Sequence, residues 1–321
     1  MDVALIGYGN VGQAFARLLE KKRGSFPFRI TGIHTARHGT AVNASRGLPV
    51  EPPFGPAAAS IEEFLDAARA EVAIEITTLN PSSGEPAISH VRAAFARGMH
   101  VVTANKGPIA HAFAQLKEEA RCAGVSFRFE STCMDGAPIY NMLRNNLPGC
   151  EVLGFTGVLN STTKVVVDAM AEGLSMEEGV ARASEMGITE ADASYDIDGW
   201  DSAAKTAALA NVLMDARVTP QQIEPRGIGR LTPERVTELK SRRKTVRVVS
   251  RAKRTKDGVK LRVRAEVLDA TDLLAAIPGT SNLLLFHTDL MGTVGTVSID
   301  PGVEQTAYGL LSDLVDIARE A

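Results

Sequence analysis

The spacing of apolar and polar positions changes along the chain, and the change separates two kinds of structure. Val3-Ala4-Leu5-Ile6 is a short unbroken apolar run, as expected for a strand buried on both faces. Ala14, Phe15, Leu18 and Leu19 then recur at helical spacing. Phe28 to Ile33 reads as a second strand, and Val72 to Ile76 and His100 to Val102 as further buried strands with a helix over Ala87 to Arg97 between them. A helix over Ala110 to Ala123 and a strand over Val125 to Phe129 continue the series. Strands alternating with helices predict an α/β domain built on a parallel, doubly wound sheet, over residues 1–130.

Beyond that point the pattern is mostly helical from Ala137 to about Asp215, and Ser175-Met176-Glu177-Glu178 has capping-box spacing at one helix start. Thr245 to Val267 reads as a β-hairpin, with Val and Arg alternating on both arms and Asp257-Gly258 at the turn. Gln305 to Ala318 is an amphipathic helix. The expectation is a second, α+β domain over residues 131–302, and a C-terminal helix within 303–321 that packs back on the first domain. No repeat and no low-complexity linker separates the two, so tight packing is expected rather than tethering.

Composition removes several function classes. At 321 residues the chain exceeds what one core usually serves. A net charge of -3 gives no general attraction to nucleic acid or membrane, and no apolar run approaches the ~18–20 residues that span a bilayer. The three cysteines, Cys122, Cys133 and Cys150, lack metal-type spacing and suit a reduced compartment. With no basic leader before the first strand, cytoplasm is the expected location. The hairpin is rich in Arg and Lys, but without interleaved aromatics it reads as a solvated sheet face rather than a nucleic-acid surface. A small-molecule partner is expected, not a nucleic acid or a membrane.

Gly7-x-Gly9-x-x-Gly12 lies between the first strand and the first helix. In that context the glycines permit a tight turn, close approach of a pyrophosphate to the backbone, and helix–strand packing. The helix start at Asn10 and Val11 then offers free N–H groups to phosphate. This is the dinucleotide-binding arrangement of a Rossmann domain. An NAD-type site usually carries an acidic residue about 20 positions on, but no Asp or Glu occurs between Glu20 and Glu51. His34-Thr35-Ala36-Arg37-His38 stands there instead. Arg37 can pair with a 2′-phosphate, which favours NADP over NAD; the plain alternative is a solvated loop arginine.

A second constellation runs from Glu190 through Asp192, Asp196, Asp198 and Asp201 to Lys205. Asp201 and Lys205 are i, i+4 and share a helix face. The helix continues through Thr206 to Asn211, mostly small and apolar. A lysine opening such a helix is expected to be half-buried, where its proton affinity can be tuned. The bland reading is an acidic surface loop with a helical ion pair.

Taken together, these segments resemble the homoserine dehydrogenase family over nearly the whole chain and in the same order. Thr103-Ala104-Asn105-Lys106 is similar to the family's Thr-Ala-Asn-Lys. Glu130-Ser131-Thr132 with Gly136-Ala137-Pro138-Ile139 is similar to Glu-Ala-Thr-Val-Gly-Gly-Gly-Ile-Pro, and Gly157 to Thr163 to Gly-Ile-Leu-Asn-Gly-Thr-Thr. Gly187 to Asp192, with Asp196, Gly199, Asp201 and Lys205, follows the Gly-Tyr-Ala-Glu-Ala-Asp-Pro segment and the acidic stretch after it, and Thr306-Ala307 with Asp313 to Ala318 completes the series.

The resemblance implies hydride exchange between a nicotinamide and the alcohol or aldehyde carbon of homoserine or aspartate 4-semialdehyde. Lys205 would move the proton, with Lys106 and Asp201 beside the reacting group. Glu190 and Asp196 would hold the substrate's amino group, with Thr162 also in the substrate site. Gly7, Gly9, Asn10, Val11, Gly12, Arg37, Thr103 and Gly302 would hold the cofactor. A sodium or potassium ion would sit at Glu130, Cys133, Asp135 and Ala137, largely on backbone carbonyls. A homodimer, and a short form without the family's regulatory ACT domain, are also implied.

Four positions depart from the family pattern. Ile188 replaces a substrate-contacting Tyr, Met134-Asp135 stands in the Gly-rich loop, and Ser161 replaces Gly. Ser298-Ile299-Asp300-Pro301-Gly302 stands for Gly-x-Gly-Ala-Gly beside the nicotinamide. These changes predict weak action on homoserine, strengthened by reverting Asp300, Pro301 and Ile188. Three readings therefore stay open: a homoserine dehydrogenase, a related dehydrogenase for another small hydroxy or oxo acid, and a dinucleotide-binding sensor without turnover.

Overall fold

The structure, a computed structural model, describes residues 1–189 and 192–320. The chain divides into two compact units, residues 1–142 with 302–321 and residues 143–301.

In the first unit, β1 (Asp2–Ile6) leads through the glycine turn into α1 (Asn10–Lys22), followed by β2 (Arg29–Thr35) and β3 (Gly39–Val42). Then come α2 (Ile61–Ala68), β4 (Val72–Glu75), α3 (Ala87–Phe95), β5 (His100–Thr103), α4 (Lys106–Ala123) and β6 (Phe127–Arg128). Among the described residues the sheet order is β3-β2-β1-β4-β5-β6. Neighbours from β2 to β6 pair in parallel, with Ile6 opposite His34 on one side and Glu75 on the other. One edge strand is added to the predicted parallel sheet: β3 turns straight back from β2 and pairs antiparallel, Thr35 with Gly39. Three residues, Ala36 to His38, make that turn, too few for a crossover helix.

The helix α4 starts four residues earlier than its apolar spacing predicts, at Lys106, because the Asn105 side chain accepts from Gly107 N and caps it. The last helix, α11 (Val303–Glu320), packs on this unit. Its buried residues Ala307, Leu310, Leu311, Leu314 and Ile317 form one amphipathic stripe that joins Val3, Leu5, Phe15 and Leu19 in a single core. Each fully buried Leu or Ile on that stripe contributes roughly 1.5–3 kcal/mol.

The boundary at 131 is displaced. Residues 131–142 belong to the first unit, and the reason is polar. Glu130 accepts from the amides of Ile139, Tyr140 (3.0 Å) and Asn141 (2.7 Å), at the start of α5 (Tyr140–Asn146). Asp313 on α11 accepts from Glu130 N at 2.8 Å. Burial pushes the Asp313 carboxyl up to about 7.

In the second unit, β7 (Val152–Val158) precedes α6 (Ser161–Met170), α7 (Met176–Glu185), α8 (Ser194–Ile197), α9 (Trp200–Met214) and α10 (Pro233–Ser241). The strands β8 (Lys244–Thr255), β9 (Gly258–Asp269), β10 (Asn282–Thr288) and β11 (Thr293–Ser298) follow. They form an antiparallel sheet in the order β11-β10-β7-β8-β9. The predicted hairpin is β8–β9, with Thr255 paired to Gly258 across Lys256-Asp257. Its basic side chains meet carboxylates: Arg251 with Glu266 (2.8 Å), Arg254 with Glu151 (3.0 Å), and Arg247 with Asp168 (2.9 Å). The central strand β7 lies inside the stretch expected to be helical. Two glycines break its β pattern, and Gly154 is needed because a Cβ there would run into the Ala252 carbonyl of β8.

Candidate active site

The glycine turn of the first unit has the geometry its sequence requires. Gly7 has φ +106, and a Cβ on it would collide with the Ile76 carbonyl at 2.6 Å. A Cβ on Gly9 would meet nothing within 4 Å, so the space over the turn is open. Gly12 packs against Ile76 and Tyr8, where a Cβ would stand 3.1 Å from each side chain. No side chain caps the start of α1, which leaves the Asn10, Val11 and Gly12 amides directed at that space. These features fit a pyrophosphate. Arg37 is exposed in the β2–β3 turn, just past the C-terminal end of β2.

Thr103 ends β5 and is buried, its hydroxyl donating to Glu75 O at 2.8 Å. The same hydroxyl accepts from Asn105 N at 2.9 Å. Lys106 is half-buried on the first turn of α4. Gly302, ahead of α11, donates its amide to Gln305 Oε1 at 2.9 Å.

The loop proposed for a monovalent cation also belongs to this unit. Both carboxylate oxygens of Glu130 accept backbone amides, and the Cys133 thiol lies 3.3 Å from the Tyr140 hydroxyl. Among the described residues no three His, Cys, Asp or Glu side chains are grouped to hold a metal ion. The Glu130 carboxylate is engaged in holding the amides at the start of α5. Asp135 (φ 51) and Gly136 (φ 81) turn the backbone between Cys133 and Ala137.

The second unit brings the other candidates together around one residue that carried no role in the sequence reading, Asn160. Asn160 caps α6, its Oδ1 accepting from Thr163 N at 2.8 Å. That bond leaves Nδ2 to donate to Asp196 Oδ1 at 2.6 Å and Asp201 Oδ2 at 2.9 Å. The same Asp201 oxygen lies 3.0 Å from Lys205 Nζ, which also donates to Leu159 O at 2.7 Å. The result is one continuous chain: Asp196, Asn160, Asp201, Lys205, Leu159 carbonyl. Hydrogen bonds to charged groups contribute roughly 1.5–3 kcal/mol each, so this amide is a strong positioning element. Its signal was present in sequence, an Asn directly before a helix with Thr three positions on.

Burial, reinforced by the neighbouring Asp201 carboxylate, pushes the Asp196 carboxyl up to about 6. Thr162 donates to Ile188 O at 2.9 Å. Glu190 lies outside the described residues. A lysine ammonium held by a carboxylate and a carbonyl, beside a second carboxylate that titrates near 6, can deliver a proton and hold an ammonium group.

Residues 7–130 match the family "Homoserine dehydrogenase, NAD binding domain", and residues 138–315 match "Homoserine dehydrogenase". The chain belongs to the homoserine dehydrogenase family. An NAD(+)-dependent homoserine dehydrogenase from Pseudomonas canavaninivorans is 33% identical, covering 99% of this chain and 96% of that protein. The homoserine dehydrogenase of Methanocaldococcus jannaschii is 33% identical over 99% of this chain and 98% of its own. A crystal structure of a homoserine dehydrogenase from Thiobacillus denitrificans superposes with a TM-score of 0.86 at 26% identity, covering 99% of this chain and 73% of that one. Homoserine dehydrogenase membership makes the chain an NAD(P)-binding oxidoreductase. No helix among the described residues is long and apolar enough to cross a membrane.

Two of the four departures have a job inside the second unit. The Asp300 carboxylate accepts from Thr280 N (3.3 Å), Thr280 Oγ1 (3.4 Å) and Ser281 Oγ (3.4 Å). Ser161 donates to Thr280 O at 2.6 Å. Both side chains hold the loop before β10.

Proposed function

We propose that this homoserine dehydrogenase relative interconverts L-homoserine and L-aspartate 4-semialdehyde, with Lys205 as the proton-transfer residue. The carrying observation is the chain that fixes Lys205 Nζ against Asp201 and the Leu159 carbonyl. When bound, the nicotinamide supplies the hydride in reduction and accepts it in oxidation.

In reduction the carbonyl carbon gains a C–H bond and the C=O π bond breaks toward oxygen. The Lys205 ammonium donates its proton to that oxygen as negative charge develops. The resulting amine is reprotonated from solvent, and Asp201 favours the ammonium that re-forms. Oxidation runs the same path backwards, with the Lys205 amine taking the hydroxyl proton. Asp196, ionised above about pH 6, and Glu190 clamp the substrate ammonium. Lys106 adds positive potential for the reacting oxygen or the substrate carboxylate.

The cofactor is NADP in preference to NAD, on the strength of Arg37 and the missing acidic residue after β2. The NAD(+)-dependent name of one relative makes the ratio of the two the quantity to measure. A sodium or potassium ion would rest on backbone carbonyls of Cys133, Asp135 and Ala137, with Glu130 shaping the loop by capping α5. The enzyme is a cytoplasmic homodimer. Exposed apolar side chains on the second unit's sheet, among them Leu153, Val267 and Val297, support self-association.

A second reading is kept by Ile188, which offers no hydroxyl where the family pattern has one: a related dehydrogenase acting on another small hydroxy or oxo acid. NAD(P)H formation with L-homoserine and a panel of hydroxy acids, in wild type and Lys205→Ala, tests both. Activity confined to homoserine and lost in the variant supports the first; activity confined to another hydroxy acid overturns it.

A further inference from the structure

We propose that Lys164 is a positioning residue for this reaction: its buried ammonium clasps the 278–282 loop to the first turn of α6 and thereby holds Leu159 and Asn160 where Lys205 and Asp201 need them. The inference rests on the role proposed for Lys205.

Three carbonyls of this loop are met by the first turn of α6. Lys164 is 1% exposed, and its Nζ donates to Ser281 O at 2.5 Å and Pro278 O at 3.3 Å. Ser161 takes the carbonyl between them, that of Thr280, at 2.6 Å. Asp300 holds the same loop through the Thr280 and Ser281 donors, and its own amide donates to Ser281 Oγ at 3.0 Å. The fit is close at Gly279 (φ +52), where a Cβ would stand 2.6 Å from the Asp300 carboxylate.

The chemistry is costly for a mere loop staple. An ammonium loses its hydration on burial, and neutral donors would satisfy two carbonyls. Ser161, however, sits between Asn160 and Thr162, and Leu159 O receives Lys205. Whatever moves Ser161 moves the acceptor of the proton-transfer lysine and the amide that holds both aspartates.

The groups facing Lys164 are Arg247 from β8, Asp168 one turn along α6, and Asp300 from the segment after β11. Burial, then Arg247, pulls the lysine down to about 8, against the two carboxylates. Its charge is therefore present at neutral pH and declines above about pH 8, weakening charge-assisted bonds to ordinary ones.

The test compares Lys164→Met and Lys164→Arg with wild type by amide hydrogen exchange at residues 280–282, NADPH affinity by fluorescence, and kcat and KM for L-homoserine across pH 6.5–9.5. For Lys164→Met the expected result is at least tenfold faster exchange and a kcat lowered at least tenfold, with NADPH affinity unchanged because the glycine turn lies in the other unit. Lys164→Arg should restore most of kcat and lack the alkaline step in exchange that wild type is expected to show. Exchange and kcat both within twofold of wild type in Lys164→Met would overturn the proposal, as would fast exchange with unaltered kinetics. If Lys164→Met does not fold, Ser161→Gly takes its place, with the same directions and the same overturning results. Wild type without homoserine activity refutes the reaction assignment, and the exchange measurements still judge the clasp.

Discussion

Lys205 Nζ lies 3.0 Å from Asp201 Oδ2, one helical turn apart on α9, with only 17% and 11% of the two side chains exposed. A surface i, i+4 pair contributes little, but here the same carboxylate oxygen also accepts from Asn160. The pair is therefore held in a network, and its removal should be felt in chemistry more than in folding.

Lys205→Ala should lower kcat by about 100- to 10,000-fold, the usual contribution of a general acid or base. NADPH affinity should stay within twofold of wild type. Steady-state kinetics and fluorescence titration check the two halves. A variant keeping a tenth or more of wild-type kcat contradicts the role given to Lys205.

Asp196 sets a pH dependence whose sign is fixed by its upward shift from 3.8 to about 6. Protonation below about pH 6 removes the negative charge facing the substrate ammonium, so KM for homoserine should rise as pH falls through 6. Asp196→Asn should show a high KM throughout and no step. For stability, the folded state binds the proton more tightly than the unfolded chain. This contribution is present below pH 3.8 and lost as pH rises through about 6. Asp196→Asn should thus gain Tm relative to wild type at pH 7.5 and not at pH 4, measured by calorimetry at both.

Much of this arrangement was legible in the sequence, for reasons that differ by element. The glycine turn was readable because its glycines fall at a set spacing between a strand and a helix; a Cβ on Gly7 would meet the Ile76 carbonyl, and one on Gly12 the Ile76 and Tyr8 side chains. The β8–β9 hairpin was readable because apolar and polar residues alternate along β9 and over Val246-Arg247-Val248 of β8. The strand β7 was not, since Gly154 and Gly157 are demanded by β8 and β10, which lie far away in sequence. Asp201 and Lys205 could be paired from i, i+4 spacing, but their link to Asp196 could not: Asn160 lies 36 residues before Asp196. The contacts of Asp300 were illegible for a related reason: its partners, Thr280 and Ser281, sit across an intervening hairpin.

Reverting Asp300→Gly with Pro301→Ala should consequently lower activity on homoserine rather than raise it. The double change removes the acceptor for Thr280 and Ser281 and frees a loop bound to Ser161. The expectation is a severalfold fall in kcat/KM, with faster proteolysis or amide exchange near residue 280. A rise in kcat/KM would show that the loop restricts the pocket instead.

Arg37→Asp should shift cofactor preference toward NAD, because it exchanges a partner for a 2′-phosphate for a partner of the ribose hydroxyls. The readout is the ratio of kcat/KM for NADP to that for NAD in both proteins. An unchanged ratio would leave Arg37 as a solvated turn residue.

The central claim is tested most directly by steady-state oxidation of L-homoserine by wild-type protein with saturating NADP or NAD, following NAD(P)H absorbance. The account predicts robust turnover, with kcat/KM in the ordinary enzymatic range of about 10⁴–10⁸ M⁻¹s⁻¹, abolished in Lys205→Ala. Absence of homoserine turnover in folded, cofactor-binding protein, with activity on a different small hydroxy acid or on none, would contradict it.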